Sequence, residues 1–158
     1  MGMDFYSMMT EETRLKFHYI VRGIVIVDGK VLLAHSTGAS NTFLPGGHID
    51  TGEGAESALV REIHEEIGKR AIVKRFVGAV ESVWSEDGLD NHEINLVFEV
   101  DIPELDSAKP LQSLEGHLEF IWVEPSALEM HNLQPDSLIE CLTNWKTSWS
   151  GYWGTSLS

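Results

Sequence analysis

Residues 54–67 carry a strongly helical pattern, and no other stretch of the chain is patterned so clearly. At 100° per residue, four apolar side chains gather on one side of the helix, which predicts a buried face: Leu59, Val60, Ile63 and Ile67. Gly68 follows at a position typical of a helix C-terminus. A single amphipathic helix in the middle of a chain must bury that face against other elements, and the flanking segments indicate strands.

Strand-like segments occupy much of the remaining chain. Residues 17–36 contain two β-rich runs joined by Asp28-Gly29, which is a strong hairpin signal. Residues 71–84 and 117–123 read as strands, and residues 85–91 as a turn cluster. Residues 92–101 alternate, with one face formed by Ile94, Leu96, Phe98 and Val100.

Two short segments close the chain. Residues 125–130 predict a short helix, and a last helix begins near residue 134. Its apolar stripe is expected to continue beyond residue 149, along Leu138, Leu142, Trp145 and Trp149. Several strands with one central and one terminal helix predict a mixed α/β sandwich.

Length and charge limit the possible functions. The chain has 158 residues, which fits one domain with a buried core. Eleven Lys and Arg residues against 25 Asp and Glu residues give a net charge of −14, which disfavours general nucleic-acid and membrane-surface binding. A phosphorylated substrate would need a bound cation or a local cluster of hydrogen-bond donors.

Cysteine usage and hydropathy suggest a cytoplasmic location. Cys141 is the sole cysteine, so an internal disulfide is excluded. Arg22 interrupts the most apolar run, residues 19–27, and no membrane span is expected. Residues 1–16 lack signal-peptide character and are expected to form an N-terminal arm.

A second face of the central helix is acidic. Glu62, Glu65 and Glu66 are spaced i, i+3, i+4, so three like charges lie within one turn at a cost of a few tenths of a kcal/mol per pair. The helix dipole also disfavours anions near its C-terminus. Such a face is suited to a hard cation such as Mg²⁺ or Mn²⁺, although a solvated acidic surface is the alternative.

The surrounding residues distinguish these alternatives. The segment GGHIDTGEGAESALVREIHEEIGK resembles the Nudix box, GX5EX7REUXEEXGU, in which U is a bulky apolar residue. Lys69 replaces the last apolar residue, and the other eight specified positions match: Gly47, Glu53, Arg61, Glu62, Ile63, Glu65, Glu66 and Gly68. The resemblance covers residues 17–148, followed by a C-terminal tail, residues 149–158. It implies an α/β/α sandwich with a mixed sheet between helices.

The resemblance also implies an enzyme, a pyrophosphohydrolase that uses Mg²⁺ or Mn²⁺ to cleave a nucleoside diphosphate linked to another group. Sequence markers for ADP-ribose, dinucleoside polyphosphates and coenzyme A are absent, which favours a nucleoside triphosphate or a damaged nucleotide as substrate. The alternatives are a nucleotide-sugar or ADP-ribose pyrophosphatase, an inactive nucleotide-sensing module, and an acidic interaction domain with an accidental motif.

Roles follow from the resemblance position by position. It implies four metal ligands, which are the Gly46 carbonyl, Glu62, Glu65 and Glu66. Glu53 is expected to bind a second metal or position water, and Arg61 to orient the carboxylates. Glu62 is the first choice for the general base, and the candidates outside the motif are Glu115 and Glu119.

Aromatic residues and one histidine complete the predicted site. Phe43 and Trp84 are candidates for stacking a base, with core packing as the alternative. His48 is a candidate phosphate contact. Trp145, Trp149 and Trp153 recur every four residues, which favours core or interface packing. Because large aromatics in the tail need cover, either the tail folds back on its own domain or the protein is a homodimer.

Overall fold

The computed structural model places two β-sheets between two helices and describes residues 15–144 and 151–157. The strands and helices in chain order are β1 (Leu15–Ile24), β2 (Ile26–Val27), β3 (Lys30–Ser36), β4 (Gly46–His48), α1 (Ala55–Ile67), β5 (Ile72–Glu86), β6 (Leu89–Asp101), β7 (Leu118–Val123), α2 (Ser137–Asn144) and β8 (Tyr152–Thr155). A 3-10 helix, Pro125–Ala127, replaces the longer helix expected over residues 125–130.

The larger sheet is mixed and has the order β4-β1-β6-β5-β8. Strand β6 runs parallel to β1 and antiparallel to β5, while β8 runs parallel to β5. The smaller sheet, β2-β3-β7, is antiparallel. Together with a helix on each side, this arrangement confirms the predicted α/β/α sandwich with a mixed sheet.

Two hairpin turns have the conformation that their sequence favours. Asp28-Gly29 connects β2 to β3 and Asp87-Gly88 connects β5 to β6, and all four residues have positive φ angles. Aspartate followed by glycine suits a two-residue turn of this kind, because both positions must enter the left-handed region. The first hairpin was predicted correctly. The turn predicted over residues 85–91 is present but limited to Asp87-Gly88, since β5 continues to Glu86 and β6 begins at Leu89.

Each helix covers one side of the sheets. Helix α1 packs closely on β1, where a Cβ added to Gly23 would lie 3.5 Å from Leu59 and 3.6 Å from Ile63. The buried apolar residues form two clusters, the α1 cluster beneath helix α1 and the α2 cluster beneath helix α2. Helix α2 contributes Leu138, Cys141 and Leu142 to the α2 cluster. Alternate residues of β3 enter the two clusters, so the sheets form a layer shared by both.

Both faces of β6 are covered, so its alternating pattern does not mark one buried face and one solvated face. Phe98 and Val100 lie in the α1 cluster, as the pattern predicts. On the opposite face, Val97 and Asn95 are both 0% exposed. A central strand covered on both sides therefore carries a polar residue in its interior, and such a residue needs hydrogen-bond partners.

The C-terminal strand β8 folds back on its own domain. It pairs with β5 from Gly78 to Glu81. The backbones approach so closely that a Cβ at Gly78 would lie 2.2 Å from the Tyr152 carbonyl oxygen. Trp153 remains 58% exposed.

Several expectations fall at the ends of the chain. The N-terminal arm over residues 1–16 lies outside the described residues up to residue 14, and β1 begins at Leu15. The described part of α2 ends at Asn144, so the expected helix through Trp145 and Trp149 also lies outside the described residues. Neither helix in the described ranges is long and apolar enough to span a bilayer.

Candidate functional site

Helix α1 presents its acidic face to the short strand β4. The helix spans Ala55–Ile67 and ends at Gly68, whose φ of 75° is the left-handed conformation expected for this position. Glu66 is buried at 5% exposure, whereas the side chain of Glu65 is 49% exposed. The three motif glutamates therefore differ in solvent exposure, although they lie on the same face of the helix.

Arg61 is the centre of a carboxylate cluster. Its Nε and Nη2 donate to the two carboxylate oxygens of Glu53 at 2.8 and 2.9 Å, which is a bidentate ion pair. Its Nη1 donates to Glu62 at 2.9 Å and to Glu65 at 3.3 Å, and Nη2 also donates to the His48 carbonyl at 3.1 Å. One guanidinium thus joins the loop before α1 to the acidic face of the helix.

The electrostatics of this cluster follow from Arg61. Its hydrogen bond to Glu53 is the largest cause of a raised pKa for the Arg61 guanidinium. The same bond lowers the pKa of Glu53, with a further contribution from the Asp50 backbone N–H. Both groups stay ionised at neutral pH, and Arg61 offsets the repulsion among the glutamates.

Glu66 lies in a different environment, with one carboxylate oxygen that lacks a partner. Its pKa is raised to about 8, chiefly by burial and to a smaller extent by Glu62 and Glu115, although Arg22 and the Gly46 backbone N–H oppose the shift. Its Oε2 is buried and has no hydrogen-bond partner in the described part of the chain. An orphaned buried carboxylate oxygen is costly and calls for a ligand or a proton.

The Gly46-Gly47 loop passes against these carboxylates, and the backbone around Gly46 leaves no room for a side chain there. Gly46 has a φ of 135°, and a Cβ at this position would lie 2.1 Å from the Val21 carbonyl oxygen. A Cβ at Gly47 would lie 2.5 Å from the Glu62 carboxyl group. The absence of side chains lets the backbone approach Glu62 and Glu66 closely.

The chemistry of these groups fits a divalent cation, although the carboxylates do not converge on one point. Within residues 15–144 and 151–157, no three His, Cys, Asp or Glu side chains are arranged as ready metal ligands. The reason is that Glu62 and Glu65 turn toward Arg61. The orphaned Glu66 oxygen nevertheless lies near Glu62 and the Gly46 backbone, and such hard oxygen donors suit Mg²⁺ or Mn²⁺.

The two candidate general bases outside the motif, Glu115 and Glu119, lie in different parts of the fold. The loop that carries Glu115 contacts the end of α1, where the Leu114 backbone N–H donates to the Glu66 carbonyl at 2.8 Å. Glu115 is near enough to contribute to the raised pKa of Glu66. A carboxylate oxygen of Glu119 instead lies 3.0 Å from His35 Nε2. The fold therefore brings Glu115, but not Glu119, toward the motif glutamates.

Arg22, Phe43 and Trp84 line a cavity of about 740 Å³. Arg22 lies over the Phe43 ring at 5.1 Å and donates to the Leu44 and Gly46 carbonyls at 3.0 and 3.1 Å. Desolvation lowers the pKa of Arg22, while Glu93, Glu66 and Glu62 oppose that shift. Arg22 thus links the cavity to the Gly46 loop.

His48 belongs to a hydrogen-bonded chain at the edge of the sheet. His18 lies within 2.9 Å of both His48 Nε2 and Asn91 Oδ1, and its ring stacks on Trp84 at a centroid distance of 6.0 Å. Desolvation is the largest cause of a lowered pKa for His48. His48 is therefore neutral at physiological pH and linked to the aromatic wall of the cavity through His18.

Comparison with known proteins identifies the family. The family model described as the NUDIX domain matches residues 17–141. The chain belongs to the NUDIX family. The match contains the whole motif and both faces of the sandwich, and it confirms the resemblance read from the sequence.

Two curated relatives of this NUDIX chain are called ADP-ribose pyrophosphatase. The relative from Methanocaldococcus jannaschii is 39% identical over 89 residues, which cover 52% of this chain and 49% of the relative. The relative from Saccharomyces cerevisiae is 33% identical over 98 residues, which cover 61% of this chain and 39% of the relative. The matches therefore span half or less of the length of these relatives.

A solved structure supports the fold of the NUDIX domain. The MutT protein from Methanosarcina mazei Go1 superposes with a TM-score of 0.65 at 22% identity, over 83% of this chain and 94% of that one. At this identity the similarity bears on the fold alone.

Four polar residues around the site of this NUDIX domain were not predicted to belong to it: His18, Arg22, Glu93 and Asn95. A signal was present for Arg22, because an arginine within an apolar strand must find partners on burial. Asn95 lies opposite the predicted apolar face of the alternating segment 92–101. No pattern in the sequence indicated that a second core layer covers that side.

Proposed function

We propose that this NUDIX domain is an enzyme that hydrolyses the pyrophosphate linkage of a nucleoside diphosphate joined to another group, with Mg²⁺ or Mn²⁺. The observation that carries the proposal is the orphaned, buried Glu66 oxygen beside the Gly46 loop, next to an aromatic-walled cavity. A cavity of about 740 Å³ is within the range of small-molecule sites and large enough for a nucleotide.

Each residue has a distinct role in this proposal. Glu62, Glu65, Glu66 and the Gly46 carbonyl are the metal ligands. Divalent cations bound there would neutralise the pyrophosphate and acidify the attacking water. Arg61 orients the carboxylates through its bonds to Glu53, Glu62 and Glu65. Glu53 supports a second metal or a water molecule.

The general base is proposed to be Glu62, with Glu115 as the candidate from outside the motif. Glu62 is bonded to Arg61 at 2.9 Å, so release of that bond on metal binding would free its carboxylate. Phe43 and Trp84 are proposed to stack the base, and His48 to contact a phosphate. Glu119 is a weaker candidate because it is paired with His35.

Two substrate classes are proposed. The absence of family sequence markers favours a nucleoside triphosphate or a damaged nucleotide. The names of the two curated relatives favour ADP-ribose, and another nucleotide sugar is the related candidate. An inactive nucleotide-sensing module is the remaining alternative, although every glutamate of the motif is present.

A substrate screen tests the proposed function. The full chain with Mg²⁺ is incubated with ordinary and oxidised nucleoside triphosphates, ADP-ribose and UDP-sugars, and products are identified by mass spectrometry. We expect a nucleoside monophosphate from at least one class. Nucleotide binding without turnover of any compound would instead support the sensing module and contradict hydrolysis.

The homodimer and the cytoplasmic location stay predictions. Because Trp153 remains exposed beside β5, we propose that the tail contributes to a dimer interface. Light scattering at tens of micromolar is expected to give twice the chain mass of 17.7 kDa. A monomeric mass would contradict the dimer. An unchanged dimer after truncation of the chain behind Lys146 would exclude the tail from its interface.

A further inference from the structure

Glu93 is one of the charged residues that line the cavity. Its register partners are His18 on β1 and Ser82 on β5, so the three side chains form one row across the larger sheet. Glu93 and Ser82 line the cavity together with Phe43, Trp84 and Arg22. This carboxylate has no part in the proposed hydrolysis.

Two neighbours hold the Glu93 carboxylate in a fixed orientation through one of its oxygens. Ser82 Oγ donates to Oε1 at 2.7 Å, and Asn95 Nδ2 donates to the same oxygen at 3.0 Å. Arg22 fixes the amide of Asn95, because its Nε, which can only donate, bonds to Asn95 Oδ1 at 3.3 Å. The donor side of Asn95 must therefore face Glu93.

The second oxygen of Glu93 is available to a ligand. Oε2 has no hydrogen-bond partner in the described ranges, and it is not among the buried atoms that lack one. It is therefore an unpaired acceptor on a residue that lines the cavity together with Phe43 and Trp84. Glu86 and Asp136 also line this cavity, so its rim is rich in acceptors.

We propose that Glu93 selects the base of the nucleotide by accepting a hydrogen bond from an exocyclic amino group. Cytosine, adenine and guanine carry such a group, whereas uracil and hypoxanthine lack it. A carboxylate accepts from an amino group and is repelled by a keto oxygen. This inference rests on the proposed function, since it assigns specificity within the same site.

The substitution Glu93→Gln reverses the hydrogen-bonding character of this position. Ser82 and Asn95 both donate to one atom, so the amide oxygen of the glutamine would take that place. Its NH₂ group would then point into the cavity as a donor. The variant is expected to lose the preference for amino bases and to favour the keto member of a pair.

Binding of matched nucleotide pairs tests the inference. The probes are the non-hydrolysable α,β-methylene triphosphates of cytidine and uridine, and of adenosine, guanosine and inosine, titrated into the full chain with Mg²⁺ by calorimetry. We expect the amino member of at least one pair to bind roughly 10–100-fold more tightly. The matched control is Glu99→Gln, on the same strand as Glu93. It removes a carboxylate that is paired with Arg75 of β5, and it should keep the wild-type preference.

Each outcome bears on the inference separately from hydrolysis. Equal affinities within every pair would overturn it, and this comparison needs only the wild-type protein. An unchanged preference in a Glu93→Gln variant that melts like wild type would also overturn it. A clear preference without cleavage of any hydrolysable nucleotide would support Glu93 and contradict the proposed hydrolysis. Equal cleavage and equal binding of amino and keto nucleotides would support the proposed hydrolysis and contradict the role of Glu93.

Discussion

Turnover is expected to fall by about 100-fold or more when Glu62 or Glu66 is replaced by glutamine, because each substitution removes a charge proposed to bind metal or water. The isosteric change preserves size and most hydrogen bonds. Glu65→Gln is expected to lower turnover as well, and its greater exposure predicts the smallest loss of the three. The measurement is the initial rate on the substrate found in the screen, at saturating Mg²⁺.

The matched control is Glu56→Gln in the first turn of the same helix. It removes an equal charge away from the Gly46 loop and should leave turnover near the wild-type value. Circular dichroism should show that all four variants are folded. Near-wild-type rates for all three motif variants would contradict the assignment of the site.

Stability without metal is expected to fall as the pH rises from about 5 toward 8. Burial raises the pKa of Glu66 from 4.5 to about 8, so the folded state keeps a proton that the unfolded state has released. The contribution of Glu66 to the free energy of unfolding is therefore fully present below the unfolded-state pKa of 4.5. It is lost as the pH rises through the folded-state pKa of about 8.

Glu66→Gln should remove this pH dependence. At pH 8 in EDTA, we expect the variant to be more stable than wild type by on the order of 1–3 kcal/mol. Urea unfolding at pH 5 and pH 8 measures the difference, with Glu56→Gln again as control. Equal slopes of stability against pH in the variant and wild type would exclude Glu66 as the buried titrating group.

Local patterns account for what was predictable in the fold. Helix α1 and the Asp28-Gly29 hairpin are encoded by short-range signals, namely an apolar stripe, a terminal glycine and a turn dipeptide. The same spacing brings Arg61 onto Glu65, one turn away on the helix.

The features that the sequence did not predict depend on pairing between strands that are far apart in the chain. Strand β8 reaches β5 from more than 60 residues away in sequence, and Tyr152 packs on Gly78 without any local signal. Arg22, Asn95 and Glu93 form their network only because β1 and β6 lie side by side in register. Alternation assigns a residue to a face of a strand, but it does not reveal what covers that face.

Metal dependence of hydrolysis is the most direct test of the central claim, that the acidic face of α1 and the Gly46 loop bind divalent cations for pyrophosphate cleavage. Chain stripped with EDTA should be inactive, and added Mg²⁺ or Mn²⁺ should restore release of a nucleoside monophosphate, identified by mass spectrometry. Full activity in the stripped, chelated sample would contradict the account.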